Sequence, residues 1–572
     1  MYTKKFTIRF IVTFLVFIAC FSFFCVKLIF IQVFKSSHLT ALANKQHNYV
    51  IELEPIRGSI LDRNLRPLAF NVSVPSLYAN PKIMTAEDKN KAIAQLPSLL
   101  GVSHDFIEER LRRDKYFVWL KRKVTKSLIE QVKALKIQGV GYRNESKRFY
   151  PNHNLSAHVI GFAGLDNEGL EGLELVLNKE LKGKPGQMQI LRDARQRELM
   201  IEKVYVSPQD GFDVVLTIDE TIQYIVEQAL DEAMESNNAK AGTVIVMDTA
   251  TGEILALANR PTYNLDQVEK SSVESRTNRA ISFVYEPGSI FKFVTAAAAL
   301  EEEKFVETDK IYCEKGEYRV ANHILHDHTP HGTLSFREVF EVSSNIGVTK
   351  IAQKLGPAII FKYGKRFRFG EKTGINLKGE VEGHLKPPSQ WSKTTIGAIP
   401  IGHEVTTTPL QMLAALASVA NDGVYMKPFV VRYIKDQNDQ IITSFEPTVV
   451  DRVISPDTAK RVKEILIGAV DNGTGKKAQI KGVRVAGKTG TAQKVVDGLY
   501  SHNKYYSSFI GFAPADNPRL AAIVVFDEPY PRYFGGTVAA PVFQQVIEKS
   551  LKYLKNTETT EVVQNSSEAG RF

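Results

Sequence analysis

The chain has 572 residues, 44% of them apolar and 24% charged, which is enough to bury more than one core and excludes disorder by composition. A count of 73 basic against 63 acidic residues gives a net charge of +10; the excess reads as diffuse and lacks an arginine-aromatic stripe, which points to an anionic membrane or wall polymer and away from nucleic acid. Only three cysteines occur, Cys20 and Cys25 in an apolar N-terminus and Cys313 alone, so a disulfide framework and a thiolate metal site are excluded and covalent chemistry needs another nucleophile.

Residues 1–9 carry Lys4, Lys5 and Arg9, and residues 10–34 form a predominantly apolar run whose one charged residue is Lys27. That run is long enough to span a bilayer, and the basic residues before it predict a cytoplasmic N-terminus with the remainder of the chain outside. "FSFFCVK" supplies no small-residue exit for a signal peptidase. A lipoprotein cleavage before Cys20 is disfavoured because the apolar run continues past it. The reading is an uncleaved membrane anchor.

Residues 35–215 are mixed in pattern, with short strands and helices and no nucleophile beside a base. Within them lie "RGSILDRN", "RFYP" at 148–151, and the Gly-rich "GFAGLDNEGLEGLE" from Gly161. Arg57, Gly58, Asp62 and Arg63 of the first motif read as structural, with the two arginines in an ion-pair network around Asp62 near a turn.

From residue 216 to 555 a second region begins. "DETIQYIVEQALDEAM" has helical periodicity, "GTVIVMD" and "EILALAN" read as a hairpin at Thr243 to Asn259, and "SSFIGFAP" with "RLAAIVVFDEP" reads as a later strand pair. Strands at both ends with helices between predict an α+β domain, an antiparallel sheet flanked by helices. The polar tail, residues 556–572, reads as disordered.

The stretch "EPGSIFKFVTAAAAL" places Ser289 and Lys292 three residues apart behind a Pro-Gly break, with Ser289 opening a helix and both side chains on one face. Alone this fits an N-cap with a snorkelling lysine. Two further groups follow, "SSN" at 343–345 and "KTGT" at 488–491, separated by 54 and 145 residues. Together they meet the separate needs of acyl transfer. A serine hydroxyl needs a positioned base, and no His-Asp relay neighbours Ser289, so Lys292 takes that role if burial and a second cation, Lys488, lower its pKa. Ser343 relays a proton to the leaving amine, and Asn345 fixes Lys292 and holds a substrate amide. The "KTGT" strand docks substrate by edge pairing, with Gly490 allowing close approach and Thr489 and Thr491 binding a terminal carboxylate beside Lys488. Backbone N–H groups of Ser289 and Thr491 form an oxyanion hole.

"GVRVAGKT", residues 482–489, also fits a phosphate-loop pattern, but its strand character lies inside the pattern and no helix start follows. The cluster "HILHDHTPHG", 323–332, offers four histidines and Asp327, in a spacing that fits no standard zinc site; it reads as a structural or rim loop, and no metal or cofactor is expected.

These motifs, in this order, resemble those of class B penicillin-binding proteins, bacterial peptidoglycan D,D-transpeptidases. The resemblance covers about Arg57 to Leu551: "RGSILDRN" and "GLEGLE" are similar to motifs of the family's non-catalytic pedestal, a dimerisation-type domain, and "GTGKKA", "TPLQM" and "AGKTGTAQK" to those of its transpeptidase domain. The family often has Asp at the middle of the central motif, where this chain has Ser344. The resemblance implies attack of Ser289 on the D-Ala-D-Ala carbonyl of a wall stem peptide, release of D-alanine, transfer to the amine of a neighbouring stem, and acylation by β-lactams. By analogy the compact pedestal implies the septal, cell-division type, anchored in the bacterial inner membrane, with a glycan-polymerising membrane protein and other division proteins as partners. The alternatives are an elongation-type transpeptidase, a β-lactamase or carboxypeptidase, and a non-enzymatic β-lactam sensor or division scaffold; the few residues before Phe10 offer a sensor no output segment.

Overall fold

The computed structural model describes residues 2–192 and 198–569. It divides into two compact units: Met1–Ile56 with Gly183–Asp210, and Arg57–Lys182 with Gly211–Phe572.

In the first unit the helix Tyr2–Ile29 runs into a single π-helical turn, Phe30–Phe34. The segment Thr3–Phe34 is long and apolar enough to cross a membrane, and none of its most apolar window is buried in the protein. Strands Asn48–Leu53, Gly186–Arg192 and Glu198–Val206 make an antiparallel sheet with Gly186–Arg192 in the middle.

The second unit opens with a lobe built on the strand Pro67–Ala79, which pairs antiparallel with Val140–Phe149 over ten residues. Helices Ala86–Leu100, His104–Arg112 and Lys126–Ala134 start at Thr85, Ser103 and Thr125, whose side chains each accept from the third residue on. They bury Leu96, Ile107, Leu111 and Ile129 in a core of their own. From Arg112 to Lys136 the sequence carries nine basic residues and two acidic ones, Asp114 and Glu130.

Below this lobe the three quoted motifs of the region converge, in a way that corrects the expected network. Arg57 does not pair with Asp62. Its Nε donates to Glu174 at 2.7 Å, Arg148 Nε donates to the other oxygen of Glu174 at 2.5 Å, and Arg148 Nη1 donates to the Gly58 carbonyl at 2.7 Å. Asp62 instead accepts backbone N–H groups, from Asn64 and Arg66 at 2.8 Å and from Glu220 at 3.1 Å, while Arg63 pairs with Glu253 at 3.4 Å. A turn with unpaired amides satisfies a buried carboxylate without any charge, which frees the arginines for Glu174. Gly58 is fixed by space, since a Cβ there would lie 1.9 Å from the Phe212 carbonyl oxygen.

The α+β domain is organised by five strands, β1 (Ala241–Asp248), β2 (Ile254–Arg260), β3 (Ala486–Val496), β4 (Leu499–Ala513) and β5 (Leu520–Asp527). Their order is β2-β1-β5-β4-β3, all antiparallel, so early and late segments close one sheet as the strand pattern predicts. Alternation along β1 and β5 sends Ile245, Met247, Ile523 and Val525 into one core and Val244, Val246, Val524 and Phe526 into another, one on each face. Helix Ala540–Ala569 carries Phe543, Val546 and Ile547 into the second core. That helix continues through the tail expected to be disordered, up to Ala569. The segment contains no Pro or Gly between Pro541 and Gly570 to interrupt helical hydrogen bonding, and the last three residues lie outside those described.

Candidate active site

The Pro-Gly break does not lead straight into an α-helix. Gly288–Phe291 is a 3₁₀ turn holding Ser289, and the α-helix Lys292–Glu301 begins at the lysine, so Ser289 sits half-exposed on a tight turn and caps nothing. Residues 292–300 of that helix are all buried. The turn is held by a neighbouring segment: Gly288 N donates to the Gly402 carbonyl at 3.1 Å, and Tyr285 and Thr407 exchange backbone bonds at 3.0 Å. Glu286 adds a side-chain tie, accepting from His403 Nδ1 and Glu404 N at 2.9 Å.

Ser343 has a left-handed backbone (φ 65°), and Ser344 next to it caps the helix Asn345–Leu355. This turn presents both the carbonyl and the hydroxyl of Ser343 to the buried lysines. Lys292 Nζ donates to Ser343 O at 2.7 Å, to Asn345 Oδ1 at 2.7 Å and to Ser343 Oγ at 3.1 Å. Lys488 Nζ reaches the same Ser343 Oγ at 2.9 Å and the Thr489 carbonyl at 3.3 Å.

Lys488, Thr489, Gly490 and Thr491 lie within β3, the last strand of the sheet, so one edge of the "KTGT" segment has no strand partner in the sheet. Because Lys488 is inside a strand, the phosphate-loop pattern has no helix to open. β3 abuts the Ser289 turn: a Cβ on Gly490 would meet Pro287 O and Ile290 at 3.0 Å, and one on Gly288 would meet the Ala492 Cβ at 3.0 Å. Thr489 and Thr491 are already engaged, Thr489 Oγ1 with Thr474 Oγ1 at 2.6 Å and Thr491 Oγ1 accepting from Gly535 N at 3.1 Å. The residues 289, 292, 343, 345 and 488–491 are therefore drawn from three distant segments into one place.

Both lysines are out of solvent, Lys292 at 0% and Lys488 at 2% exposure. Burial, with the like charge of Lys488 added, drives the Lys292 amine well below the ordinary lysine range, against a smaller opposing pull from the Asp327 carboxylate. Burial alone lowers Lys488 to about 7.

Sequence reasoning missed Asp327. Its Oδ1 accepts from Asn345 N at 2.5 Å and Ile346 N at 3.0 Å, and its Oδ2 accepts from the Ser344 hydroxyl at 2.6 Å, so it anchors the central motif from the histidine-rich loop. The loop also contributes the His326 carbonyl, which accepts from Asn345 Nδ2 at 3.0 Å. Its histidines do not converge: among the described residues no group of three or more His, Cys, Asp or Glu could hold a metal. Thr474 was missed as well; it follows a helix by three residues and only the fold brings it beside Thr489.

Comparison with known proteins agrees with this arrangement. Residues 242–548 match the model of the penicillin binding protein transpeptidase domain, and residues 52–216 that of the penicillin-binding protein dimerisation domain. The chain belongs to the penicillin-binding transpeptidase family. It is 36% identical over 540 residues to Stage V sporulation protein D of Bacillus subtilis, covering 92% of this chain and 83% of that one. It is 32% identical over 533 residues to the peptidoglycan D,D-transpeptidase FtsI of Escherichia coli, covering 91% and 87% respectively. Among solved structures, penicillin binding protein 3 of Mycobacterium tuberculosis complexed with aztreonam superposes with a TM-score of 0.69 at 27% identity, covering 88% of this chain and 97% of that one.

Proposed function

We propose that the protein is a membrane-anchored peptidoglycan D,D-transpeptidase, a target of β-lactams, that cross-links stem peptides during septal wall synthesis. The observation that carries this reading is a single hydroxyl, Ser343 Oγ, within 3.1 Å of one buried amine and 2.9 Å of another. In this scheme neutral Lys292 takes the Ser289 proton as Oγ attacks the penultimate D-alanine carbonyl, and the N–H groups of Ser289 and Thr491 hold the oxyanion. The amide C–N bond breaks, and the departing D-alanine amine takes its proton through Ser343. An acceptor amine then attacks the ester, the acyl–oxygen bond breaks, and the amine's proton passes through Lys292 to Ser289 Oγ, which restores the serine and the neutral lysine. Lys488, Thr489 and Thr491 receive the donor's terminal carboxylate, and Asn345 its amide.

The N-terminus is cytoplasmic and the region from residue 35 extracytoplasmic, with residues 35–215 as pedestal and 216–555 as transpeptidase domain. A glycan-polymerising membrane protein and other division proteins are the partners. Fluorescent penicillin should label the wild type covalently, and Ser289→Ala should take no label while still reaching the membrane; unchanged labelling removes Ser289 as nucleophile. A thioester donor with a D-amino acid acceptor separates transfer from the hydrolysis of a carboxypeptidase. The likeness to a sporulation protein supports a second reading, a role confined to the spore wall. Depletion decides: filaments in growing cells support septal synthesis, rounding supports elongation, and a defect seen only on sporulation supports the second reading.

A further inference from the structure

Beside Lys292 and Lys488 lies a small apolar space of about 10 Å³. It is lined by the apolar stems of Lys292 and Lys488, by Val462, Ile465, Leu466 and Ala469 of helix Pro456–Asp471, and by Phe293, Ala296 and Phe340. Among these the side chains from the helix are all 4% exposed or less. A space of this volume without polar lining holds no water, since a buried water needs two to four polar partners. The hydrogen-bond partners of the two ammonium groups are Ser343, Asn345 and the Thr489 carbonyl, and none of them lies on this helix.

We propose that the inward face of helix Pro456–Asp471 is a working part of the catalytic centre: Val462, Ile465, Leu466 and Ala469 are positioning residues that keep a dry floor under both amines and so set the pH at which Ser289 becomes reactive. This rests on the reading of Lys292 as base. The floor touches no substrate and acts through the lysines alone. The charged groups facing Lys292 are Lys488 from β3 and Asp327 from the histidine-rich loop. Those on the surrounding helices are engaged elsewhere: Arg461 with Glu307, Lys463 with Asp422, Glu464 with Arg484, Lys350 with Glu314 and Lys362 with Glu302. The Glu341 carboxylate, buried at the end of its helix, lies against Gly468 and pairs with Arg337 at 3.4 Å. Replacing one apolar floor group by a polar one gives the charged amine a partner and disfavours the neutral form that takes the proton.

The test is the pH dependence of the second-order acylation rate by a chromogenic β-lactam, measured on the full chain in detergent. Val462→Thr keeps the side-chain shape and adds one hydroxyl; Ala469→Ser adds one from a different turn and replaces it should Val462→Thr not fold. The acidic limb should move up by about one pH unit, giving roughly tenfold slower acylation below it and an unchanged plateau above it. Val462→Ala, which enlarges the space without polarity, should leave the limb in place. A limb that stays put in both hydroxyl variants overturns the proposal, as does an equal shift in Val462→Ala. Failure of the underlying reading looks different: Lys292→Met would then acylate with the wild-type limb.

Discussion

Two regions of the second unit bury charge, and they do so in opposite ways. Around Glu174, two arginines share one carboxylate, and every partner of the trio is a charged or hydrogen-bonding group at 2.5–3.1 Å. Around Ser343, two like charges are buried together and every oxygen they reach is neutral. Burial with compensation locks three sequence motifs into one geometry. Burial without it makes the charged state costly and yields amines that give up a proton far more readily than an exposed lysine does. The same cost of removing charge from water thus serves shape in one place and reactivity in the other.

That contrast can be broken from either side. The largest effect is expected at the uncompensated site: Lys292→Met should lower β-lactam acylation by about 1,000-fold, within the usual range for a general base, with an unchanged circular dichroism spectrum. At the compensated site, Glu174→Gln strands two buried guanidinium groups and should cost about 3–5 kcal/mol in denaturant unfolding, while protein that remains folded still acylates. Asp327→Asn lies between the two. It weakens the anchor of Ser344 and Asn345 and removes the carboxylate that pulls the Lys292 amine upward, so acylation should fall about tenfold on the plateau and its acidic limb should move to lower pH. The smallest effect is on stability. With Lys488 at about 7 in the fold against 10.5 unperturbed, the unfolded chain binds the extra proton between those values, so stability rises with pH across that window. Lys488→Met should flatten the rise in melting temperature between pH 7 and 9.

The sequence made the reactive residues readable because acyl transfer restricts the choice of side chain: Ser289, Lys292, Ser343, Asn345 and Lys488 announce themselves by type and spacing. The hairpin and late strands were readable as short apolar runs bounded by turn residues. What escaped were groups whose role is set by contact across the fold. Asp327 sat among histidines that drew attention to metal, yet its carboxylate serves the turn where the family's middle aspartate is absent and Ser344 stands instead. Arg57 was misassigned because its neighbour in sequence, Asp62, is satisfied by backbone amides, while its true partner Glu174 lies 117 residues away. The tail after residue 556 was read from polarity alone, and polarity does not oppose a helix that already has a packed N-terminal half.

The position of β3 at the rim of the sheet has a consequence for selectivity. A docking strand that offers a bare ladder of amides and carbonyls reads the extended main chain of its guest and leaves the guest's side chains largely unexamined. On the proposed function, discrimination then falls to the carboxylate end, assigned there to Lys488, Thr489 and Thr491. Any rigid amide of similar outline with an acid at the right distance is admitted on equal terms, so the enzyme cannot easily refuse a mimic without also loosening its grip on the natural chain terminus.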